Sequence, residues 1–299
     1  MAEASIPVDL FNPGQVFACL GFVEAADILL GGAEAAFDWS NDVNVRFVLR
    51  ARGTEHPFGA ILEFIASAKV LSQAPFGSSN DTAKWSVSTE KLEKDAPFPF
   101  PDPSSPATLP VVLEGTCPTS PLRTARLFID HWGDDTRRDT VKFWGGSGGY
   151  PGAALARDAL NLVRDRCVDA VSDPFALRAE QSSSFRFDWR RDYIPIDAGF
   201  SLNSHSGKIA AVGFPLVEIF AALGLGHARP TRMKVLEYIY GVIGGGAGQA
   251  RSLYPPSFIR AALGGSPLPF ERRLFRMRLG WPAKEGQARA ITTVTEEVT

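Results

Sequence analysis

Nucleophilic and metal-ligating residues are few in this sequence and widely spaced. The three cysteines lie far apart, at Cys19, Cys117 and Cys167. The four histidines are also isolated from one another: His56, His131, His205 and His227. Zinc sites and metalloproteases need ligand pairs at short, fixed spacing, and a cysteine nucleophile needs a histidine as its base. The sequence therefore predicts a protein without a metal site, a cofactor or a catalytic centre.

A glycine-rich segment, Gly145–Gly149, follows a predicted strand and precedes a predicted helix. Backbone N–H groups in such a loop, at a helix N-terminus, bind anions. The nucleotide-hydrolysing P-loop needs Lys followed by Ser or Thr after its last glycine, but Tyr150 and Pro151 follow here, and the GxGxxG dinucleotide spacing is absent. Nucleotide hydrolysis is disfavoured, whereas contact with a nucleic-acid phosphate remains open.

Arginines recur on the polar side of three predicted strands. They are Arg46 and Arg50, then Arg186 and Arg190, then Arg272, Arg276 and Arg278. Two interpretations are open: a solvent-facing surface neutralised by acids such as Asp188, or a surface that binds a polyanion. Trp189, Arg191 and the polar loop from Asn203 to Lys208 favour the second.

The elements that must position these residues begin with a helix. Asn12 is a suitable N-cap, Pro13 suits the first turn, and the apolar run ends at Leu30 before two glycines. Apolar residues surround this helix, which predicts a core position, with Ile28 on its packed face. Glu24 is expected on a solvated edge.

The other elements are predicted from periodicity and turn residues. Strands are expected at 43–50, 123–131, 184–190 and 272–281, and helices at 56–70, after Pro151 and at 214–223, the last ending at Gly224. Residues 73–110 are expected to form a long loop or edge hairpin, and 244–248 a flexible loop. This order predicts an α+β fold with a largely antiparallel sheet, packed helices and long loops. We expect one composite domain over 1–299, with a weak subdivision into lobes 1–150 and 151–299.

Composition narrows the functional classes. The 299 residues carry 31 Lys and Arg against 33 Asp and Glu, a net charge of −2, so any nucleic-acid contact must be local. No run of about 18 uninterrupted apolar residues is present, which predicts no membrane contact. An acidic N-terminus and an odd number of cysteines predict a cytoplasmic protein.

Several motifs, in order along the chain, resemble a CRISPR-associated family. They are NPGQVFACLGFVE at 12–24, KFWGG at 142–146, GFSLN at 199–203 and EIFAALGL at 218–225 with Arg229-Pro230. The family is the subtype I-G (formerly I-U) protein that serves as a compact large subunit of the Cascade effector complex. The likeness spans roughly residues 8 to 230 but does not extend to residues 73–110. After Trp144 the sequence departs by one glycine from the Trp-Ala-Gly that is usual in the family.

The resemblance implies a role in antiviral defence without catalysis by this chain. A large subunit reads a short protospacer-adjacent motif (PAM) in double-stranded target DNA, helps open the duplex and presents the displaced strand to a separate helicase-nuclease. Its partners are then the guide RNA, the target DNA, the other Cascade subunits and the helicase-nuclease.

Two alternatives remain open at this stage. One is a backbone or handle-binding RNA subunit of the same complex, and the other is a guide-precursor ribonuclease that uses His205. For the non-catalytic role, the nucleic-acid-binding residues are predicted to be Gly145, Gly146, Ser147, Gly148, Arg186, Arg190, Arg191, Asn203, His205 and Lys208.

Overall fold

The structure, a computed structural model, describes residues 1–98, 100, 103–132, 141, 143, 150–191, 211–248, 252–281 and 289–297. Its strands are β1 (Ala2–Pro7), β2 (Ala33–Asp38), β3 (Arg46–Ala51), β4 (Lys69–Ala74), β5 (Ser88–Lys91), β6 (Val111–Cys117), β7 (Ser120–Ile129), β8 (Ala179–Glu180), β9 (Val212–Gly213), β10 (Thr231–Lys234), β11 (Glu237–Gly245), β12 (Arg272–Gly280) and β13 (Ala290–Glu297). Its α-helices are α1 (Pro13–Leu30), α2 (Pro57–Ser67), α3 (Gly152–Val163), α4 (Pro215–His227) and α5 (Pro256–Leu263).

The strands form two main sheets on one hydrophobic core. The larger sheet has the order β1-β3-β2-β11-β12-β13, with β10 beside β11, and the smaller has the order β5-β4-β6-β7. Only β2–β11 and β4–β5 pair in parallel within the described part of the chain, so the predicted α+β fold with largely antiparallel pairing is confirmed. Buried residues from both halves of the chain, among them Phe17, Phe64, Leu160 and Tyr240, belong to one cluster.

Helix α1 is the central element of that core. The Asn12 side chain accepts from the N–H of Gly14, and Gly31 ends the helix with a φ of 76°, as predicted from the sequence. By length and composition alone this helix could cross a membrane, and 89% of it is buried inside the protein. The prediction for Ile28 is wrong, because this residue is 49% exposed in the last turn.

Helices α1 and α4 cross in direct backbone contact. A Cβ atom at Gly21 would overlap the carbonyl oxygen of Phe220, and one at Gly224 would overlap that of Phe17. The rings of Phe22 and Phe220 stack beside this crossing with their centroids 3.8 Å apart. The expectation that α4 ends at Gly224 is therefore wrong: the glycine is needed inside the helix, which continues to His227.

The strand predicted at 43–50 begins three residues later than expected. The Asn41 side chain accepts from the N–H groups of Val43 and Asn44, which fixes a turn and leaves Val43 97% exposed. From Arg46 onward the chain pairs with both β1 and β2.

Three further expectations for helix ends and loops are corrected. Helix α2 ends at Ser67 rather than Val70, because Lys69–Ala74 pairs with β6 as β4. Within 73–110, β5 lies parallel to β4, so this segment is not a hairpin. The glycines at 244 and 245 end β11, and a Cβ at Gly244 would overlap the carbonyl oxygen of Phe37 on β2. The close parallel approach of two strands explains that glycine better than a flexible loop does.

Candidate nucleic-acid interface

The structure describes only part of the predicted binding site. Gly145, Gly146, Ser147, Gly148, Asn203, His205 and Lys208 lie outside the described residues, and Arg191 is described only by its backbone. Arg186 and Arg190 are described in full, as is Tyr150 at the end of the glycine-rich segment.

Residues 184–190 do not form the predicted strand. Arg186 has a left-handed φ of 66°, which interrupts any extended run. The N–H groups of Phe187 and Asp188 donate to the buried Glu218 carboxylate of α4 at 3.3 and 3.1 Å, where a strand would donate to a neighbouring strand. Phe185 and Phe187 are buried, as the alternation predicted, but the backbone of this segment contacts Gly14 of α1 and Glu218 of α4 rather than a neighbouring strand.

Arg190 forms an ion pair with a buried carboxylate. Its Nε and Nη2 atoms donate to Asp188 at 2.9 and 2.5 Å, and Nη2 also donates to the carbonyl oxygen of Phe175 at 2.9 Å. The guanidinium carbon lies 3.4 Å from the centre of the Phe214 ring. Asp188 is fully buried and also accepts from the Asn12 side chain at 3.0 Å. The charge of Arg190 is thus largely neutralised inside the protein.

Tyr150, which follows the glycine-rich segment in the sequence, is bonded to α3. Its hydroxyl donates to Asp158 at 2.5 Å, and burial together with this carboxylate raises the pKa of Tyr150 to about 12. Arg157 donates to the same carboxylate and to the carbonyl oxygen of Trp85. Tyr150, Arg157, Trp85 and Lys84 therefore form one aromatic and cationic group around the residue that follows this segment in the sequence.

The two arginines of β3 bind groups of the neighbouring strands, and acids neutralise one of them. Arg50 lies 2.8 Å from Glu3 on β1 and 3.3 Å from Glu34 on β2. Arg46 donates to the carbonyl oxygen of Ser5 at 2.7 Å. For Arg50 the structure matches the interpretation of a solvent-facing surface with paired charges.

The arginines of β12 lie on a different kind of surface. Arg276 is directly opposite Thr295 of β13, and Arg278 is directly opposite Thr293 on one side and Glu237 of β11 on the other. Glu237 has three cations around it: Arg276 at 2.5 Å, Arg278 at 3.1 Å and Lys234 at 3.2 Å. We call the set formed by Lys234, Arg276, Arg278, Thr293 and Thr295 the arginine strip.

The arginine strip carries more positive than negative charge. Its three cations are paired with two carboxylates, Glu237 and Glu297. Arg276 binds Glu297 at 2.6 Å. The Arg276 hydrogen bond holds the pKa of Glu297 below its usual range, so this carboxylate stays charged at neutral pH. The side chains of Arg278 and Lys234 are 61% and 67% exposed and are accessible to an anion. Lys234, Thr293 and Thr295 were missed by the sequence prediction because β10 and β13 were not foreseen.

One predicted surface residue is buried instead. Glu24 of α1 is fully buried, receives two hydrogen bonds from Arg260 of α5 at 2.7 and 2.5 Å, and lies 3.2 Å from Nδ1 of His227 at the end of α4. The expectation of a solvated edge is wrong because α5 covers this part of α1. Arg260, the residue of α5 that binds Glu24, lies 236 positions further along the chain. Glu24, Arg260 and His227 thus link helices α1, α5 and α4.

The described residues contain no group of three or more His, Cys, Asp or Glu side chains arranged to hold a metal ion. Burial raises the pKa values of the Cys19 and Cys167 thiols, which disfavours their thiolate forms. Cys117 differs, because its hydrogen bond with Thr119 lowers the pKa of this more exposed thiol.

No family model, curated protein or solved structure matches this chain.

Proposed function

We propose that this protein is a non-catalytic, nucleic-acid-binding subunit of a type I CRISPR effector complex, the role that the sequence resemblance implies. In that role it reads the PAM, helps open target DNA for a separate helicase-nuclease, and contacts guide RNA and the other subunits. The observation that carries the proposal is the arginine strip, an exposed group of cations and hydroxyls in a chain of net negative charge.

The strip suits a phosphate backbone for two reasons. Arg278 and Lys234 are largely exposed and share the single carboxylate Glu237, whereas Arg276 is held between Glu237 and Glu297. Threonine hydroxyls at the opposite positions of β13 add donors for phosphate oxygens. Glu237 lies among the cations, so an arriving phosphate competes with it and the contact is moderate in strength.

Binding measurements on the full chain test this assignment. Arg278→Gln and Lys234→Gln should weaken binding to duplex DNA of any sequence, because each removes a cation that neutralises a phosphate. The slope of log K against log salt should become shallower by about 0.9 for every phosphate that is no longer neutralised. Arg50→Gln is the matched control, since Arg50 is held between Glu3 and Glu34 and should leave both quantities unchanged. Parent-like binding by both strip variants would remove the strip from the interface.

Activity assays separate the proposal from an enzyme. The purified chain should cleave neither repeat RNA nor DNA and should not hydrolyse ATP. His205→Ala and Ser147→Ala are the informative variants if activity is found: His205 is the candidate ribonuclease residue, and Gly145–Gly149 also has the GxSxG spacing of a hydrolase nucleophile. Cleavage that either substitution abolishes would replace the proposed function by an enzymatic one.

A further inference from the structure

Glu237, the carboxylate that all three cations of the arginine strip share, is almost completely buried. Its side chain is 4% exposed, whereas those of Arg278 and Lys234 are largely exposed. Both cations approach the same oxygen, Oε2, at 3.1 and 3.2 Å. A ligand that arrives from solvent therefore meets the two cations first, with a negative charge close behind them.

A strained turn holds Glu237 opposite Lys234. The two residues pair across the hairpin of β10 and β11, and the turn between them contains Leu236 at a left-handed φ of 62°. Bulky residues rarely adopt this conformation. The carbonyl oxygen of Leu236 accepts from the N–H of Leu279 on β12 at 2.9 Å, and its side chain packs against the core. The surrounding fold thus maintains an unfavourable backbone conformation at the point that brings Lys234 to Glu237.

The two arginines of the strip differ in the donors that they have left for a ligand. Arg276 donates through Nη1 to Glu237 at 2.5 Å and through Nε and Nη2 to Glu297 at 2.6 and 3.0 Å. Arg278 approaches Glu237 only through Nε, so its Nη1 and Nη2 groups have no partner in the described part of the chain. A guanidinium binds phosphate through two parallel hydrogen bonds, which Arg278 can still supply.

Glu237 carries its negative charge at neutral pH. Burial acts to raise the pKa of Glu237, but the hydrogen bonds from Arg276 and Lys234 outweigh this effect and hold the pKa below its usual range. A phosphate bound to the far side of Arg278 lies about 6 Å from the carboxylate. Two like charges at that separation, with an effective dielectric constant of about 40, weaken binding about tenfold.

We infer that Glu237 is an autoinhibitory residue of the arginine strip: it competes with phosphate for Lys234 and Arg278 and keeps the contact with DNA of any sequence weak and short-lived. Phosphate contacts supply most of the affinity for non-target DNA, so a carboxylate that opposes them favours rapid release from such DNA. The inference rests on the proposed function, because it concerns the regulation of the same binding surface.

Duplex binding by the full chain tests this role. The probe is a fluorescent DNA duplex without a PAM, at two salt concentrations. Glu237→Gln keeps the size of the side chain and one oxygen acceptor, and we expect it to bind about tenfold more tightly at the lower salt concentration, mainly through slower dissociation. The slope of log K against log salt should become steeper by up to about 0.9, because one further cation becomes available to phosphate. A purely structural role predicts the opposite, since cations released from their shared carboxylate would be less ordered and bind more weakly.

Two further variants make the measurement specific. Glu34→Gln changes the net charge of the chain by the same amount, but Glu34 pairs with Arg50 rather than with a cation of the strip. Its binding should equal that of the parent. Lys234→Gln/Glu237→Gln keeps the net charge of the parent strip and serves as the second variant if Glu237→Gln fails to fold. It should bind the duplex more tightly than Lys234→Gln alone.

The outcomes separate this inference from the proposed function. Parent-like or weaker binding by Glu237→Gln, or an equal gain in Glu34→Gln, would overturn the autoinhibitory role, and so would a double variant that binds no better than Lys234→Gln. The proposed function stands in each of these cases if the parent binds the duplex and Arg278→Gln weakens that binding. Absence of duplex binding by both the parent and Glu237→Gln overturns both proposals.

Discussion

At the residue scale, the arginines of this chain differ in their partners and therefore in their roles. Arg190 neutralises a buried carboxylate, Arg50 joins three strands through two acids, and Arg278 remains largely exposed. Periodicity alone places all three on polar faces and cannot distinguish among them. The distinction depends on the acid nearest each guanidinium, and these acids come from other parts of the chain.

Arg190→Gln tests the difference. Its loss leaves Asp188 buried without its counter-ion, which should lower the free energy of unfolding by at least about 1–3 kcal/mol. Chemical denaturation of parent and variant measures this, and the double variant Arg190→Gln/Asp188→Asn should recover part of the loss because the pair is coupled. A variant with parent stability but weakened nucleic-acid binding would show that Arg190 is a binding residue, as the sequence predicted.

At the element scale, the crossing of α1 and α4 organises the core and the backbone that carries Arg190. Asn12 and Gln15 lie in or just before the first turn of α1, and Glu218 of α4 holds the backbone of residues 187 and 188. The position of Arg190 therefore depends on how closely the two helices approach.

Gly21→Ala should reveal that dependence. Alanine normally stabilises a helix relative to glycine by about 1 kcal/mol, but here its Cβ would overlap the Phe220 backbone. We expect the free energy of unfolding to fall by about 1–3 kcal/mol, with a lower melting temperature. Gly245→Ala is the control, because no atom lies within 4 Å of the new methyl group. Equal stability of Gly21→Ala and the parent would contradict this close packing.

At the scale of the whole molecule, the sequence predicts features that depend on neighbouring residues and misses features that depend on contacts between remote segments. The limits of α1 follow from Asn12, Pro13 and Gly31, residues whose capping preferences act within a few positions. The strand predicted at 184–190 shows the failure, since its clean alternation is overridden by hydrogen bonds to Glu218 some 30 positions away. The burial of Glu24 and the pairing of Thr293 and Thr295 with arginines likewise depend on contacts between remote segments.

The central claim, that this chain is the subunit through which a CRISPR effector complex reads the PAM, has one direct test. The complex is assembled with guide RNA, with and without this protein, and its equilibrium binding to target duplexes with a matched or a scrambled PAM is measured at two salt concentrations. We predict that the complete complex prefers the matched duplex by roughly 5- to 150-fold for each critical base pair, and that the preference disappears when the protein is omitted. An undiminished preference in the complex without this protein would contradict the account.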